Sequence, residues 1–322
     1  MRRNNEKRIC DWKFIRTHKM IDVKKKITEQ YKIPSNTVDG AFMDICRNFK
    51  SCLSNLKNKN IKHFNLRYIK QTKKIQCIYI PKGSIKKDGF SIRILKQMFN
   101  EENYDYCNIK HDCRLLYKNN EFSLLIPEDI KQKNNTSNKV ISIDPGIKTF
   151  LTGITNVSVY QFGNNLCDTI KKDLIRIDYL NKNLNKRRKQ LIKVASERIK
   201  NRIIDMHWKC INHIINKSKV GTIILGNWST KSICSNKKYL DKMYKRIAMS
   251  LNFYKFKERL DFKCKLNKVQ LILTNEAYTS KICCKCGTYN DKFTDRILNC
   301  KNCKYSIDRD INGSCNMLLK NL

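Results

Sequence analysis

Acidic side chains are scarce in this sequence: 28 Asp and Glu stand against 67 Lys and Arg, a formal charge of +39. A compact chain so charged repels itself unless a polyanion neutralises it. Nucleic acid is the leading partner class, ahead of an anionic membrane surface. Long apolar runs are missing too. Nothing approaches the roughly 20 residues of a membrane span, and the opening "MRRNNEKRICDWKF" has no apolar core of signal-peptide length. The expectation is an intracellular protein, off the membrane, with reduced thiols. Proline is absent after Pro145, and residues 164–220 hold neither Gly nor Pro, which suits long helices. A hydrophobic content of 41% excludes a disordered chain, and 322 residues suffice for two domains.

What is present divides near residue 138. Before it, "VDGAFMDICRNFKSCLSNLKNK" has helical apolar spacing. The segments near 64–95 and 113–126 alternate and read as strands and hairpins, with turns at Lys82-Gly83, Asp88-Gly89 and Asn119-Asn120. "KQKNNTSNK" is a polar loop and the predicted boundary, giving a region 1–138 and a region 139–322. After it, "VISID" is a short strand, "PGIK" turns it, and "TFLTGIT" returns antiparallel. Ile177, Leu184 and Leu191 recur every seven residues, with Leu174 and Leu180 beside them. Between them "NKRRKQ" places Lys186, Arg187, Arg188 and Lys189 on a solvated face that suits a phosphate backbone. "TIILG" and "VQLILT" are further strands, separated by a basic helical stretch over 238–265.

The chain has 16 cysteines, of which two pairs carry chemistry: Cys283-x-x-Cys286 and Cys300-x-x-Cys303, 13 residues apart. In a reducing compartment such pairs are metal ligands. Each pair sets two thiolates on a tight knuckle, and four close a tetrahedron around a structural Zn²⁺. Gly287 relaxes the first knuckle, and Cys284 is a bystander. Three acids stand at the edges of predicted elements. Asp144 ends the "VISID" strand, Glu276 follows "VQLILT", and Asp310 lies in "DRDINGSCNML" beside Asp308. That last segment reads as a short helix presenting Ile311, Cys315, Leu318 and Leu319 on one face. Clustered carboxylates repel unless cations hold them. A pair of Mg²⁺ ions held by such acids suits phosphodiester hydrolysis.

"VISIDPGIKTFLTG", "EAYTSKICCKCG", the paired cysteines and "DRDINGSCNML" together resemble the C-terminal half of TnpB-type transposon-encoded nucleases, over residues 138–320. "DMHWK", Asp205 to Lys209, fits the helical region between that family's first two catalytic motifs. The resemblance implies an α/β, RuvC-like RNase H fold with an inserted four-cysteine zinc ribbon at 277–306. A smaller mixed β-barrel and helical region would precede it, grip guide RNA and target, and be short for the eukaryotic branch. It also implies an RNA-guided, Mg²⁺-dependent DNA endonuclease whose partners are a guide RNA and a double-stranded DNA target. In the bacterial members a glutamate ends the strand that here reads "TIILGNWST", where Gly226 and Asn227 stand instead. The eukaryotic and viral Fanzor branch, which the sequence resembles more closely, carries its glutamate in an "EAYTS"-like segment. Asp144, Glu276 and Asp310 are thereby implied as the three metal-binding catalytic acids, with Asp308 in a supporting hydrogen bond. In a eukaryotic host the expected location is the nucleus. The competing reading is an inactive nucleic-acid binder of the same ancestry, or a zinc-ribbon regulator of duplex DNA.

Overall fold

The computed structural model describes residues 11–18, 20–67, 75–86, 89–90, 106–118, 121–235, 241–291 and 296–321. The expected turn residues Asn119 and Asn120, Asp88 of the Asp88-Gly89 turn, residues 68–74 and 91–95 of the N-terminal strands, and the start of the basic stretch fall outside these. Two compact units divide between Asp129 and Ile130.

The first unit mixes helices and short strands. Helices α1 (Trp12–His18), α2 (Ile21–Tyr31) and α3 (Ser35–Lys57) precede strands β1 (Ile75–Ile80), β2 (Ile85–Lys86), β3 (Gly89–Phe90), β4 (Cys113–Lys118) and β5 (Glu121–Leu125). An antiparallel sheet runs β1-β4-β5, and β2 pairs with β3. Ile80, Phe90, Ile109, Cys113 and Leu115 form its core. α3 comes so close to β1 that a Cβ on Gly40 would lie 2.4 Å from Tyr79 Cβ. The Arg114 guanidinium forks onto Asp44 at 2.7 and 3.0 Å, tying β4 to the same helix. That fork holds the Asp44 carboxyl below the usual range.

The second unit is built on one five-stranded sheet. Its strands are β6 (Val140–Pro145), β7 (Leu151–Ile154), β8 (Val159–Phe162), β9 (Thr222–Gly226) and β10 (Gln270–Thr274), in spatial order β10-β9-β6-β7-β8. β6, β7 and β8 form an antiparallel meander, while β9 and β10 add in parallel beside β6. This is the RNase H-like order. β6 is central, so both its faces are buried and it reads as a nearly continuous apolar run. Ile141 and Ile143 face a core shared with Phe150, Leu151, Ile223 and Leu225. The alternate positions, Ser142 and Asp144, face the other side.

Helices α4 (Leu166–Asn181), α5 (Lys186–Asn212), α7 (Lys242–Leu251) and α8 (Phe253–Leu266) supply the rest of that core. The short α6 (Thr230–Ser235) precedes α7. The seven-residue apolar recurrence does not run on as one face. Ile177 is buried in α4, but Leu184 is 54% exposed in the break between helices and Leu191 is 37% exposed. The break has a local cause: the Asn185 side chain accepts from Arg188 N at 2.8 Å and starts a new helix. Helix α9 (Arg309–Asn321) covers the opposite sheet face, where Ser314 Oγ donates to Thr152 O at 2.8 Å. Its buried residues are Asn312, Gly313, Ser314, Met317 and Leu318, and Leu319 is 59% exposed. The face expected from the sequence is therefore rotated. Asn312 and Ser314, polar side chains with specific partners, are buried beside Met317 and Leu318, while Leu319 is not. No described helix is long and apolar enough to cross a membrane.

His207 lies in the middle of the apolar face of α5, fully buried and stacked on Phe150. Its Nε2 donates to Leu251 O at 3.0 Å, and its Nδ1 accepts from Arg259 at 2.7 Å. With both ring nitrogens committed, burial pushes its pKa down to about 4. The folded state thus prefers the neutral ring. Its contribution is complete above pH 6.5 and lost as pH falls toward 4, on the order of 3 kcal/mol. Thermal melts should show this acid loss in the native protein and a flatter profile in His207→Gln. Equal profiles would refute the assignment.

Candidate metal and nucleic-acid site

Asp144 ends β6, on the face that α9 covers, and α9 approaches it at Gly313. A Cβ there would lie 2.8 Å from Asp144 Oδ2. Burial, then repulsion from Glu276, Asp310 and Asp308, raises the Asp144 carboxyl well above the usual range. Glu276 follows β10 by two residues and reaches across the end of β9. A Cβ at Gly226 would stand 1.9 Å from its Oε1. The carboxylate of Glu276 therefore occupies the space that any side chain at 226 would need. Its backbone carbonyl accepts from Thr279 Oγ1 at 2.9 Å, and this turn leads into the cysteine segment.

Glu276 Oε1 is buried with no hydrogen-bond partner, and burial raises the carboxyl pKa to about 7. An orphaned buried oxygen beside a second raised carboxyl fits a hard cation's donor set. The metal-free protein bears the cost of that arrangement. A raised carboxyl favours the fold fully below pH 4.5, and that advantage is lost as pH rises through 7. Glu276→Gln should therefore stabilise the chelator-treated protein at pH 8 by on the order of 2–3 kcal/mol. Titrating Mg²⁺ should narrow the gap; an unchanged gap would argue against a cation at Glu276.

Asp310 sits in the first turn of α9 and is ion-paired with Arg296 at 2.6 Å. Arg296 also reaches Thr149 Oγ1 at 3.5 Å. Asp308 Oδ1 accepts from the backbone N–H groups of Asp310 and Ile311 at 2.8 and 3.2 Å, so it caps the helix that carries its neighbour. Among the described residues, one group of His, Cys, Asp or Glu has its ligand atoms within 4.8 Å of one another, and it is the four cysteines. Asp144, Glu276 and Asp310 share one end of the sheet, close enough for Glu276 and Asp310 to raise the Asp144 carboxyl. Arg296 was not anticipated from the sequence, where nothing marks one basic residue among 67.

The cysteines lie on the ribbon formed by β11 (Ile297–Asn299) and β12 (Ser306–Asp308) and the knuckle before them. Cys283 and Cys303 sulfurs are 3.7 Å apart, and those of Cys286 and Cys300 are 3.5 Å apart. A tetrahedron with Zn–S bonds of about 2.3 Å has edges near 3.8 Å, so the four sulfurs fit that ion. Gly287 has φ +73° and donates its N–H to Cys283 O at 2.8 Å, closing the first knuckle. The Thr288 hydroxyl lowers the Cys286 thiol to about 6, toward the thiolate a metal needs. Cys284 stays outside the cluster, and its N–H donates to Asn312 Oδ1 at 2.9 Å. Fully buried Asn312 also donates to Thr279 O and Ile282 O, as does Asn316. Ribbon and α9 are thereby joined into one piece.

Lys186, Arg187, Arg188 and Lys189 form the first turn of α5. Four cations at the positive end of a helix are unfavourable to one another and to the dipole unless an anion lies there. The Arg188 guanidinium lies 5.7 Å from the Tyr179 ring centroid.

Residues 253–317 match the family model "Cas12f1-like, TNB domain". TnpB-like protein L79 of Acanthamoeba polyphaga mimivirus is 28% identical over 302 residues, covering 89% of this chain and 57% of that protein. TnpB-like protein MJ0751 of Methanocaldococcus jannaschii is 25% identical over 179 residues, covering 51% of this chain and 64% of that protein. The chain spans little more than half the length of the mimivirus relatives it matches. A solved Cas12f1–sgRNA–target DNA complex overlays at a TM-score of 0.45 and 18% identity, covering 99% of this chain and 94% of that one, a likeness too loose to carry an argument. The ribbon match and the viral and archaeal relatives together support a TnpB/Fanzor-type family for the chain.

Proposed function

We propose that the chain is a guide-RNA-dependent DNA endonuclease of transposon origin that hydrolyses phosphodiester bonds with Mg²⁺. The observation that carries this reading is the Glu276 carboxylate lying over Gly226 beside Asp144. Where the sequence lacks an acid, another element supplies one. In this reading Asp144, Glu276 and Asp310 hold the ions. Bound Mg²⁺ would acidify an attacking water and neutralise the leaving oxygen. Burial keeps the Asp144 and Glu276 carboxyls out of water, where their interaction with a cation is strongest. Arg296 neutralises Asp310 in the metal-free protein, and the ribbon with its zinc fixes the start of α9. Lys186, Arg187, Arg188 and Lys189 grip the phosphate backbone, guide pairing reads the sequence, and the N-terminal region 1–138 holds guide and target. In a eukaryotic host the protein acts in the nucleus.

The test is to express the chain with its flanking genomic DNA and sequence the RNA that copurifies. The expected result is one defined species ending in a segment that matches neighbouring DNA. That DNA should be cut in Mg²⁺ by the native protein and left intact by Asp144→Ala, Glu276→Ala and Asp310→Ala, each still binding. Defined RNA with no cutting would favour the inactive binder. DNA binding with no RNA requirement would favour the zinc-ribbon regulator.

A further inference from the structure

At the strand ends that carry the acids lies a further cavity of about 310 Å³. It opens at the carboxyl ends of β6 and β9, where Pro145 and Gly226 form its floor. In open α/β sheets this is where ligands bind, outside the strand ends at which the spatial order reverses. The order reverses here between β6 and β9: the meander leaves on one side of β6, and β9 and β10 add on the other. Pro145 follows Asp144 directly, and Glu276 lies over Gly226, so the cavity shares its strand ends with the acids, while Leu225, Phe253 and Phe256 set its body on the sheet face opposite Asp144.

The walls are aromatic and the rim is cationic. Trp228 and Phe253 lie 4.0 Å apart between ring centroids, tilted by 59°. Tyr254 lines the same cavity and is 63% exposed. Lys231 and Lys257 line it as well. Phe253 begins α8, and the first turn of a helix favours anions. A π-surface for stacking, flanked by cations at the strand ends that carry the acids, fits one ligand class well: a nucleotide whose base is out of the duplex stack.

We infer that this cleft receives the nucleobase next to the phosphodiester held at the acids. The base stacks on Tyr254 and Trp228, and Lys231 and Lys257 take the flanking phosphates. The inference rests on the endonuclease reading and adds to it a subsite that places the scissile bond by gripping its neighbouring base.

The test uses the full chain with its guide RNA and a matched DNA target, intact or abasic at the nucleotide beside the cut. Tyr254→Ala should lower kcat/KM on intact DNA by about 5- to 100-fold, the range expected for losing one stacked base. The abasic target should cost the native protein a similar factor and cost Tyr254→Ala little more. Tyr254→Phe should keep the native rate. Equal losses for Tyr254→Ala on both targets, or no loss on either, would overturn the inference. Tyr254 is exposed, so its variants should melt as the native protein does. A second readout needs no cutting. Oligodeoxythymidylate in EDTA should quench native tryptophan fluorescence more than that of Trp228→Phe. That difference without DNA cleavage would sink the endonuclease reading and leave the base-binding cleft standing. Identical quenching would overturn the cleft.

Discussion

Gly226→Ala is expected to lower the rate of DNA cleavage by about 100-fold or more while leaving the melting temperature unchanged or slightly raised. The added Cβ would stand 1.9 Å from Glu276 Oε1, 2.6 Å from its Cδ and 2.8 Å from its Cγ. Contacts that short cannot persist, so the carboxylate must swing away from the other acids. Misplacing a catalytic group by about 1 Å costs on the order of 10²-fold. Stability should not suffer, because the displaced group is an acid that is buried without a partner and held near pKa 7. Moving it toward water relieves that cost. Cleavage assays and thermal melts on one preparation separate the two effects. A fully active Gly226→Ala protein would mean that Glu276 does no work in the reaction. An unfolded one would mean that the glycine serves the sheet instead.

Cys300→Ala is expected to abolish zinc binding and, with it, cleavage. The ribbon's own core is small: Cys283, Leu298 and Cys300, with Cys303 and Ile307 against it. Two strands of three residues cannot hold such a segment. Structural zinc supplies apparent binding energies of about 10–16 kcal/mol in zinc-finger peptides, and in such domains binding energy is folding energy. The loss should not stay local. β12 runs into α9 without a break, and Asn312 and Asn316 fasten that helix to Thr279 and Ile282. Losing the ribbon's order should therefore displace Asp310 and release Arg296. Elemental analysis should find zinc in the native protein and none in the variant. Hydrogen exchange should rise across the ribbon and the start of α9 while the sheet stays protected. A zinc-free variant that still cuts would dismiss the ribbon as a positioning device.

Most of the sheet was legible because its strands are short apolar runs between turn residues. "VISID", "TFLTGIT", "TIILG" and "VQLILT" all fall on observed strands. β8 (Val159–Phe162) was not singled out; its positions alternate between exposed and partly buried, a weak signal at four residues. The helical recurrence misled at Leu184 because spacing carries no information about where a capping asparagine interrupts it. α9 misled because its buried face mixes polar Asn312 and Ser314 with Met317 and Leu318. Asn312 and Ser314 are fully buried by virtue of their partners, which lie far off in sequence. The four-cysteine cluster was legible from spacing alone, since paired cysteines encode their own geometry. Gly226 looked like a missing acid. That it is required room for another acid emerges only when β9 and the end of β10 lie side by side. The aromatic cleft was illegible for a similar reason. Trp228 and Tyr254 are 26 positions apart in sequence, and nothing in the pattern ties one to the other.

The shared space of Gly226 and Glu276 also bears on descent. The resemblance implies an acid at the position of 226 in the bacterial members, on the strand end, and here Glu276 lies over that position. Because both need the same volume, a chain carrying both cannot seat the two at once. A lineage moving from one arrangement to the other therefore had no smooth path through a doubly armed intermediate. It had to empty the first position or let one acid lie displaced while the other took over. Restoring glutamate at 226 alone, with Glu276 still in place, would recreate the conflict rather than the ancestor.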